Sequence, residues 1–169
     1  MSDVTIRPLA PSDSITELTD LLHRAYAPLA AMGLRFWATH QSEDDTRHRI
    51  SQGTCLVAVM DDTICGTILF KNAGQTQGCP WYDLADIASI AQFAVEPRLQ
   101  SKGLGAQLMA RAENLAIAAG ARELALDTAE PATHLVAWYT RLGYRFIEHA
   151  QWLHTNYRNV VLSKRLALP

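Results

Sequence analysis

The stretch from Gln92 to Met109 constrains this chain more than any other part of the sequence. It reads QFAVEPRLQSKGLGAQLM, which is an apolar strand candidate, a proline, a loop with two glycines and the start of an amphipathic helix. Proline cannot donate to a strand ladder, so the strand should end at Glu96-Pro97. Gly103 and Gly105 let the backbone approach a ligand, and the following helix presents unpaired N–H groups and the positive end of its dipole. The pattern favours a phosphate or pyrophosphate site over a tight turn that only docks the helix on a sheet.

The rest of the chain alternates strand and helix patterns, which predicts an α/β fold with about seven strands and about four helices. Strands are predicted over 4–8, 55–60, 63–70, 85–95, 123–126, 144–147 and 160–162, and helices begin near Ser14, Ser42, Gly105 and Pro131. Asp61-Asp62 is a plausible hairpin turn, whereas the later strands are joined through helices. No linker divides the chain, so residues 1–169 are predicted to form one domain.

Composition excludes several classes of function. The 17 acidic and 15 basic residues give a formal charge of −2, which argues against a broad nucleic-acid surface. No run approaches the roughly 20 apolar residues that span a bilayer, and the first residues lack the features of a secretory signal. Cys55, Cys65 and Cys79 form no CxxC pair, so we expect reduced thiols in a cytoplasmic protein and no metal site.

Two familiar phosphate motifs do not fit the glycine loop well. The chain contains no GxxxxGK[ST] string, which a Walker A loop requires. A dinucleotide fingerprint would need a glycine at position 108, where the chain has Leu108. Asp127 does lie at a strand end at the distance where that fingerprint has an acid, so this alternative stays open.

The glycine loop resembles motif A of the GNAT superfamily of N-acetyltransferases. That family uses [Arg/Gln]-x-x-Gly-x-[Gly/Ala] after its fourth strand to hold the pyrophosphate of acetyl-CoA, and Gln100, Gly103 and Gly105 match it. A second segment, AWYTRLGYRF from Ala137 to Phe146, resembles the later motif in which a helix carries a tyrosine and ends in a Gly–aromatic step. The resemblance implies a mixed central sheet whose fourth and fifth strands splay apart.

The resemblance also implies a set of cofactor contacts. The pantetheine arm of acetyl-CoA would enter the gap between the splayed strands and pair with the backbone there, and the Phe93 amide would polarise the acetyl carbonyl. The implied cofactor-binding residues are Phe93, Ala94, Val95, Gln100, Ser101, Lys102, Gly103, Leu104, Gly105 and Ala106. Relatives often place a pantetheine-binding asparagine where this chain has Ala132, so no side-chain contact is expected there.

Tyr139 matches the tyrosine that serves as general acid in the family. A phenol is neutral at pH 7 and can donate a proton to the departing thiolate, although Tyr139 also suits a core position beside Leu135 and Leu142. The general base is open, because Ser89 stands where some relatives have a glutamate. The candidates are Asp83, Asp86, Glu96, His134, His154 or water.

Aromatic residues predict the acceptor pocket. In this fold the pocket lies between the first helices and the loop that joins the last strands, which points to Phe36, Trp37, Trp81 and Trp152. Such rings suit an amine with an apolar or aromatic body, unless half of them fill the core. The segment has no dense acidic cluster, which argues against polyamine or aminoglycoside acceptors.

The sequence therefore predicts a cytoplasmic enzyme that moves the acetyl group of acetyl-CoA directly to a primary amine of a small molecule or peptide. The alternative is a sensor or regulatory module that binds acyl-CoA without transferring anything. The resemblance allows a homodimer, and the identity of the acceptor stays open.

Overall fold

A computed structural model describes residues 2–167 and contains one sheet of seven strands. The strands are β1 (Thr5–Pro8), β2 (Thr54–Met60), β3 (Thr63–Lys71), β4 (Ile87–Val95), β5 (Glu123–Ala129), β6 (Arg145–Ala150) and β7 (Asn159–Arg165). The α-helices are α1 (Ile15–Ala31), α2 (Glu43–Ile50), α3 (Leu104–Ala118) and α4 (Thr133–Arg141). The predicted mixed sheet with four helices is confirmed.

The strand order across the sheet is β1-β2-β3-β4-β5-β7-β6. All neighbouring strands are antiparallel except β4 and β5, which are parallel. The β2–β3 hairpin turns at Asp61-Asp62, where both residues have positive φ, +50° and +61°. That conformation is the one a two-residue hairpin with the sheet's twist requires, so the predicted turn is confirmed.

Helices cover both faces of the sheet, which explains why β2 and β3 are apolar at nearly every position. Side chains alternate along a strand, so Cys55 and Val57 face Leu18 and Leu21 of α1. The residues between them face the other way, onto α3, where the largest core cluster contains Leu56, Ala58, Ile68, Leu104 and Leu108. The glycine loop and α3 are therefore anchored on the central strands.

Local sequence signals place the helix ends with uneven accuracy. Ser42 caps α2 through a reciprocal capping box with Asp45, as its position indicates. Ser14 caps α1, but the Glu17 carboxylate accepts from the Ile64 N–H of β3 instead of closing a box with Ser14. The prediction that Pro131 opens α4 is wrong, because the helix begins at Thr133 after a turn in which the Ala132 N–H donates to the Ala129 carbonyl.

Candidate active site

The gap between β4 and β5 is produced by a bulge in β4. The two strands pair only from Ile87 with Glu123 to Ser89 with Ala125. Beyond that point β4 holds two residues, Gln92 and Phe93, opposite one residue of β3, and Gln92 has a positive φ of +47°. A bulge bends and twists its strand, so the end of β4 turns away from β5. The splay expected from the family resemblance is confirmed.

One cavity of about 450 Å³ occupies this gap. Its walls include the ends of β4 and β5, the glycine loop, α4 and aromatic residues of the segments around 36 and 152. Of the predicted site residues, the cavity brings together Phe36, Trp37, Phe93, Ala94, Val95, Gln100, Ser101, Gly103, Gly105, Ala106, Tyr139 and Trp152. The coenzyme and acceptor regions predicted from the sequence thus share one continuous space.

The glycine loop presents an uninterrupted row of backbone donors. A short 3₁₀ turn over Pro97–Leu99 links β4 to the loop, and the Gln100 side chain donates to the Val95 carbonyl at 3.2 Å. Among the described residues, no N–H from 101 to 106 donates to another protein group, whereas the Gln100 N–H is already bound to the Pro97 carbonyl. Six adjacent donors at a helix N-terminus form a site for an anion. Gln100 therefore positions the loop, and its own N–H is not a free donor.

The two glycines have different roles in this loop. Gly103 has a φ of +88°, and a Cβ placed there would meet no atom within 4 Å. The residue is therefore required by backbone conformation, while the space beside it stays open. Gly105 is favoured by packing, because a Cβ there would lie 3.3 Å from the Phe93 ring and 3.4 Å from the Trp138 ring, so both rings would have to shift slightly. Lys102 is exposed and Leu104 is buried in the core, so neither side chain lines the cavity.

The backbone around Phe93 is held from two sides. The Tyr26 hydroxyl donates to the Phe93 carbonyl at 2.8 Å, and the Phe93 ring stacks on Trp138 with centroids 5.8 Å apart. Burial raises the pKa of Tyr26 to about 12, so its phenol stays a donor at neutral pH. Tyr26 was not found by sequence analysis, because nothing in the pattern of α1 connects it to a bulge far along the chain.

Tyr139 lies on α4 with its ring against Trp138 and Tyr144. Its side chain is only 7% exposed, yet it lines the cavity. Burial, and then the nearby Tyr26 and Asp127, raise the pKa of Tyr139 well above its usual value. The phenol is therefore neutral and keeps its O–H across the physiological range.

The acceptor end of the cavity is built from aromatic rings of distant segments. Phe36 lies against Tyr157 with centroids 4.9 Å apart, and Trp37 lies against His154 at 4.6 Å. Trp152 donates its indole N–H to Asp127. Trp81 does not line this cavity, because its ring packs in a cluster with Ile87 and Val161, and Arg122 lies 5.7 Å from the ring centre.

Asp127 is the acid that sequence analysis considered only for a dinucleotide site. Tyr82 and Trp152 each donate to one of its carboxylate oxygens at 2.8 Å, which fixes the group at the cavity wall. It is the only acidic residue among the described residues that line the cavity. The signal that could have found it is an acidic residue directly after the apolar run 123–126, which the structure places within β5.

Most of the other candidate bases are occupied elsewhere. Asp86 pairs with Arg122, Glu96 pairs with Arg24, and Asp83 accepts from the Gly78 N–H. Ser89 is buried and shares a hydrogen bond with Thr76. His134 and His154 both line the cavity. Burial, and then the charge of Arg49, lower the pKa of His154, so its imidazole is neutral at pH 7 and can accept a proton.

A family model described as the Acetyltransferase (GNAT) family matches residues 15–144. This chain belongs to the GNAT acetyltransferase family. The match spans the glycine loop and the AWYTRLGYRF segment as far as Tyr144, so the resemblance to the family is confirmed. The alternative of a dinucleotide-binding domain is wrong.

A curated relative supports the activity of this GNAT protein. The S-(2-succino)cysteine N-acetyltransferase of Bacillus subtilis (strain 168) is 30% identical over 138 residues, which are 80% of this chain and 81% of that protein. The chain is an acetyl-CoA-dependent N-acetyltransferase, as the sequence predicted.

Solved structures share the fold of this GNAT protein. A GNAT family acetyltransferase from Elizabethkingia anophelis with acetyl-CoA bound superposes with a TM-score of 0.68 at 19% identity, covering 96% of this chain and 98% of that one. The ribosomal-protein-S18-alanine N-acetyltransferase from Escherichia coli gives 0.73 at 16% identity, covering 99% and 96%.

Two further findings concern the described residues as a whole. None of the helices within residues 2–167 combines the length and apolar character needed to cross a membrane. Within the same range, no three His, Cys, Asp or Glu side chains are grouped in a way that could hold a metal ion.

Proposed function

We propose that this enzyme transfers the acetyl group directly to the α-amine of a small amino acid or amino-acid derivative. The observation that carries the proposal is the single cavity that joins the six free N–H groups of the glycine loop to the aromatic pocket around Asp127. The relative from Bacillus subtilis, which is named for a cysteine derivative, supports an amino-acid acceptor.

The coenzyme half of the site is assigned to the main chain. The N–H groups of residues 101–106 would hold the pyrophosphate, and the pantetheine would lie along β4 from Phe93 to Val95. The open space beside Gly103 and the gap between β4 and β5 both fit this occupant. Acetyl-CoA supplies the activated acetyl group, and the chain's own donors fix where that group lies.

Proton transfers are assigned to three side chains. Asp127 would bind the acceptor ammonium, and neutral His154 would take the proton that the amine loses before it attacks. The Phe93 N–H would stabilise the negative charge that develops on the acetyl carbonyl oxygen. Tyr139 would then give its proton to the departing thiolate.

The setting of the enzyme is also a proposal. Residues 1–169 would act as one domain, supported by the single sheet that includes every described strand. The three cysteines are free thiols, which suits the reducing cytoplasm. A homodimer remains a prediction that light scattering on the purified protein would test.

The proposal is tested by calorimetric titration with acetyl-CoA, followed by thiol release in the presence of single amino acids. We expect saturable acetyl-CoA binding and amine-dependent thiol release. Each amino acid is paired with its N-acetylated form, which lacks the free amine and should release no thiol. Release that is equal with both forms would show hydrolysis of acetyl-CoA and would contradict the proposal.

A further inference from the structure

The acceptor end of the cavity opens into a side chamber of about 230 Å³ that the assignments above do not use. Residues of α2 and the end of β3 line it, and it shares Trp37, Arg49, Asp127 and His154 with the main cavity. Its charged side chains are Arg49, Lys71 and Asp127. The chamber therefore carries two cationic side chains and one anionic side chain.

Arg49 has no acidic partner within 4 Å among residues 2–167. Its guanidinium donates to the Gln41 side chain at 2.9 Å and lies 5.1 Å from the centre of the Trp37 ring. Burial lowers the pKa of Arg49, and the charges of Asp127 and Asp45, neither of which is within 4 Å, offset this only in part. A guanidinium that loses water without a directly bonded counter-ion is costly, and an anionic ligand would reduce that cost.

The position of Arg49 is fixed by a buried polar network. Gln41 is fully buried and donates to both Thr46 and Gln92, at 2.8 and 2.7 Å. Because Gln41 is held by α2 and β4 at once, its side-chain oxygen is aimed at Arg49. The guanidinium is thereby held in place before any ligand binds, which is what a recognition site needs.

Lys71 lies at the end of β3 and lines the same chamber. No hydrogen bond or ion pair joins its ammonium to another side chain in the described part of the chain. Burial and the charge of Arg49 both lower the pKa of Lys71. Asp127 acts on both cations and opposes these effects, but among residues 2–167 neither cation forms an ion pair with it or with any other acid.

The balance of charge indicates the class of ligand. If Asp127 is neutralised by the ammonium of the acceptor, Arg49 and Lys71 remain as two uncompensated positive charges. An acceptor with two carboxylates satisfies both. Arg49 suits a bidentate carboxylate, and Lys71 suits a second one as a point charge.

We propose that the side chamber between α2 and β3 binds the carboxylates of the acceptor, with Arg49 as the principal specificity residue and Lys71 as the second. This inference rests on the proposed function and narrows it to amino acids with an acidic side chain. An amino acid with a neutral or cationic side chain supplies only its α-carboxylate, so it would leave one of the two cations unpaired and should bind poorly.

The test compares S-carboxymethylcysteine with S-carbamoylmethylcysteine, which has nearly the same shape and no distal charge. In the wild-type enzyme we expect kcat/KM to favour the acid by about 100-fold, the range of a charged hydrogen-bonded pair. Arg49→Gln should reduce that preference to less than about 5-fold, and Arg49→Lys should restore part of it. Lys71→Gln should have a smaller effect in the same direction.

Arg47→Gln is the matched control, because Arg47 lies on the same helix, is exposed and pairs only with Asp44. It should keep the wild-type preference. If Arg49→Gln slows both acceptors equally, Arg49 only supports Gln41 and the inference is wrong. The inference is also wrong if the wild-type enzyme acetylates neutral amino acids as well as acidic ones. Absence of acetyl-CoA binding, or of thiol release with every amine, would instead overturn the proposed function itself.

Discussion

The two halves of the active-site cavity are built in different ways. The coenzyme half comes from one continuous stretch, β4 followed by the glycine loop and α3, and its donors are main-chain N–H groups. The acceptor half contains residues from separate parts of the chain: the segment around Trp37, α2, the ends of β3 and β5, and the loop after β6. These segments contribute side chains to the cavity. Acetyl-CoA is common to the family, so main-chain groups that do not depend on residue type can hold it. The acceptor differs between family members, so its recognition needs side chains that can be exchanged.

The comparison predicts that the coenzyme half is most sensitive to a change beside the free N–H groups. Gly103→Glu should weaken acetyl-CoA binding by about 1000-fold, because a carboxylate would repel the pyrophosphate and replace several charge-assisted hydrogen bonds. Gly120→Glu is the matched control, since Gly120 also has a positive φ, +80°, and open space around it, but lies at the other end of α3. Calorimetric titration of both variants measures the difference, and equal losses would mean that backbone strain alone is responsible.

Tyr139 lies where the two halves meet, so its loss should affect turnover and not coenzyme affinity. Tyr139→Phe should lower kcat by about 100-fold, the usual contribution of a general acid. Tyr144→Phe is the control, because Tyr144 is also buried near the end of α4 but donates to Glu113 outside the cavity. Full turnover by Tyr139→Phe would show that Tyr139 is only a core ring.

The acceptor half should determine how the rate depends on pH. The pKa of His154 is lowered by burial and by Arg49, so its protonation on acidification should occur below its usual value of 6.5. His154 can act as a base only while its imidazole is neutral. We therefore expect kcat/KM to fall as the pH drops through that lowered pKa. His154→Gln should abolish this acid limb and reduce the plateau by about 100-fold.

His134→Gln provides the comparison for that pH profile, because His134 lines the same cavity. The acid limb should persist in this variant. If the limb disappears in His134→Gln and stays in His154→Gln, the base has been assigned to the wrong histidine.

The smallest effect is expected for the aromatic wall of the acceptor half. Trp152→Phe removes the indole N–H that donates to Asp127, and it should raise the KM of the acceptor by about 5-fold while the affinity for acetyl-CoA is unchanged. Trp81→Phe should leave both constants near their wild-type values, since Trp81 lies outside the cavity. Steady-state kinetics with both substrates varied separates the two variants.

The sequence predictions were more accurate for features built from neighbouring residues, such as the coenzyme half, than for the acceptor half, which distant segments form. Ser42, the Asp61-Asp62 turn and the glycine loop were correctly placed, because capping, hairpin and helix-start signals act over a few neighbouring residues. Trp81 was predicted to lie in the acceptor pocket, but it does not line the cavity. A tryptophan in the sequence suits a pocket and a core equally well. Whether the Trp81 ring lies in one or the other depends on how the loop before β4 packs against β6.

The sequence by itself determined the fold class, the family and the coenzyme loop, since these depend on periodicity and on contiguous motifs. Only the tertiary structure decided that Tyr26 holds the Phe93 backbone, that Asp127 lines the cavity, and that Arg49 and Lys71 share a chamber. The physical reason is that a side chain's electrostatic role depends on what surrounds it. Those surroundings come from segments that are far apart along the chain and meet only when the sheet forms.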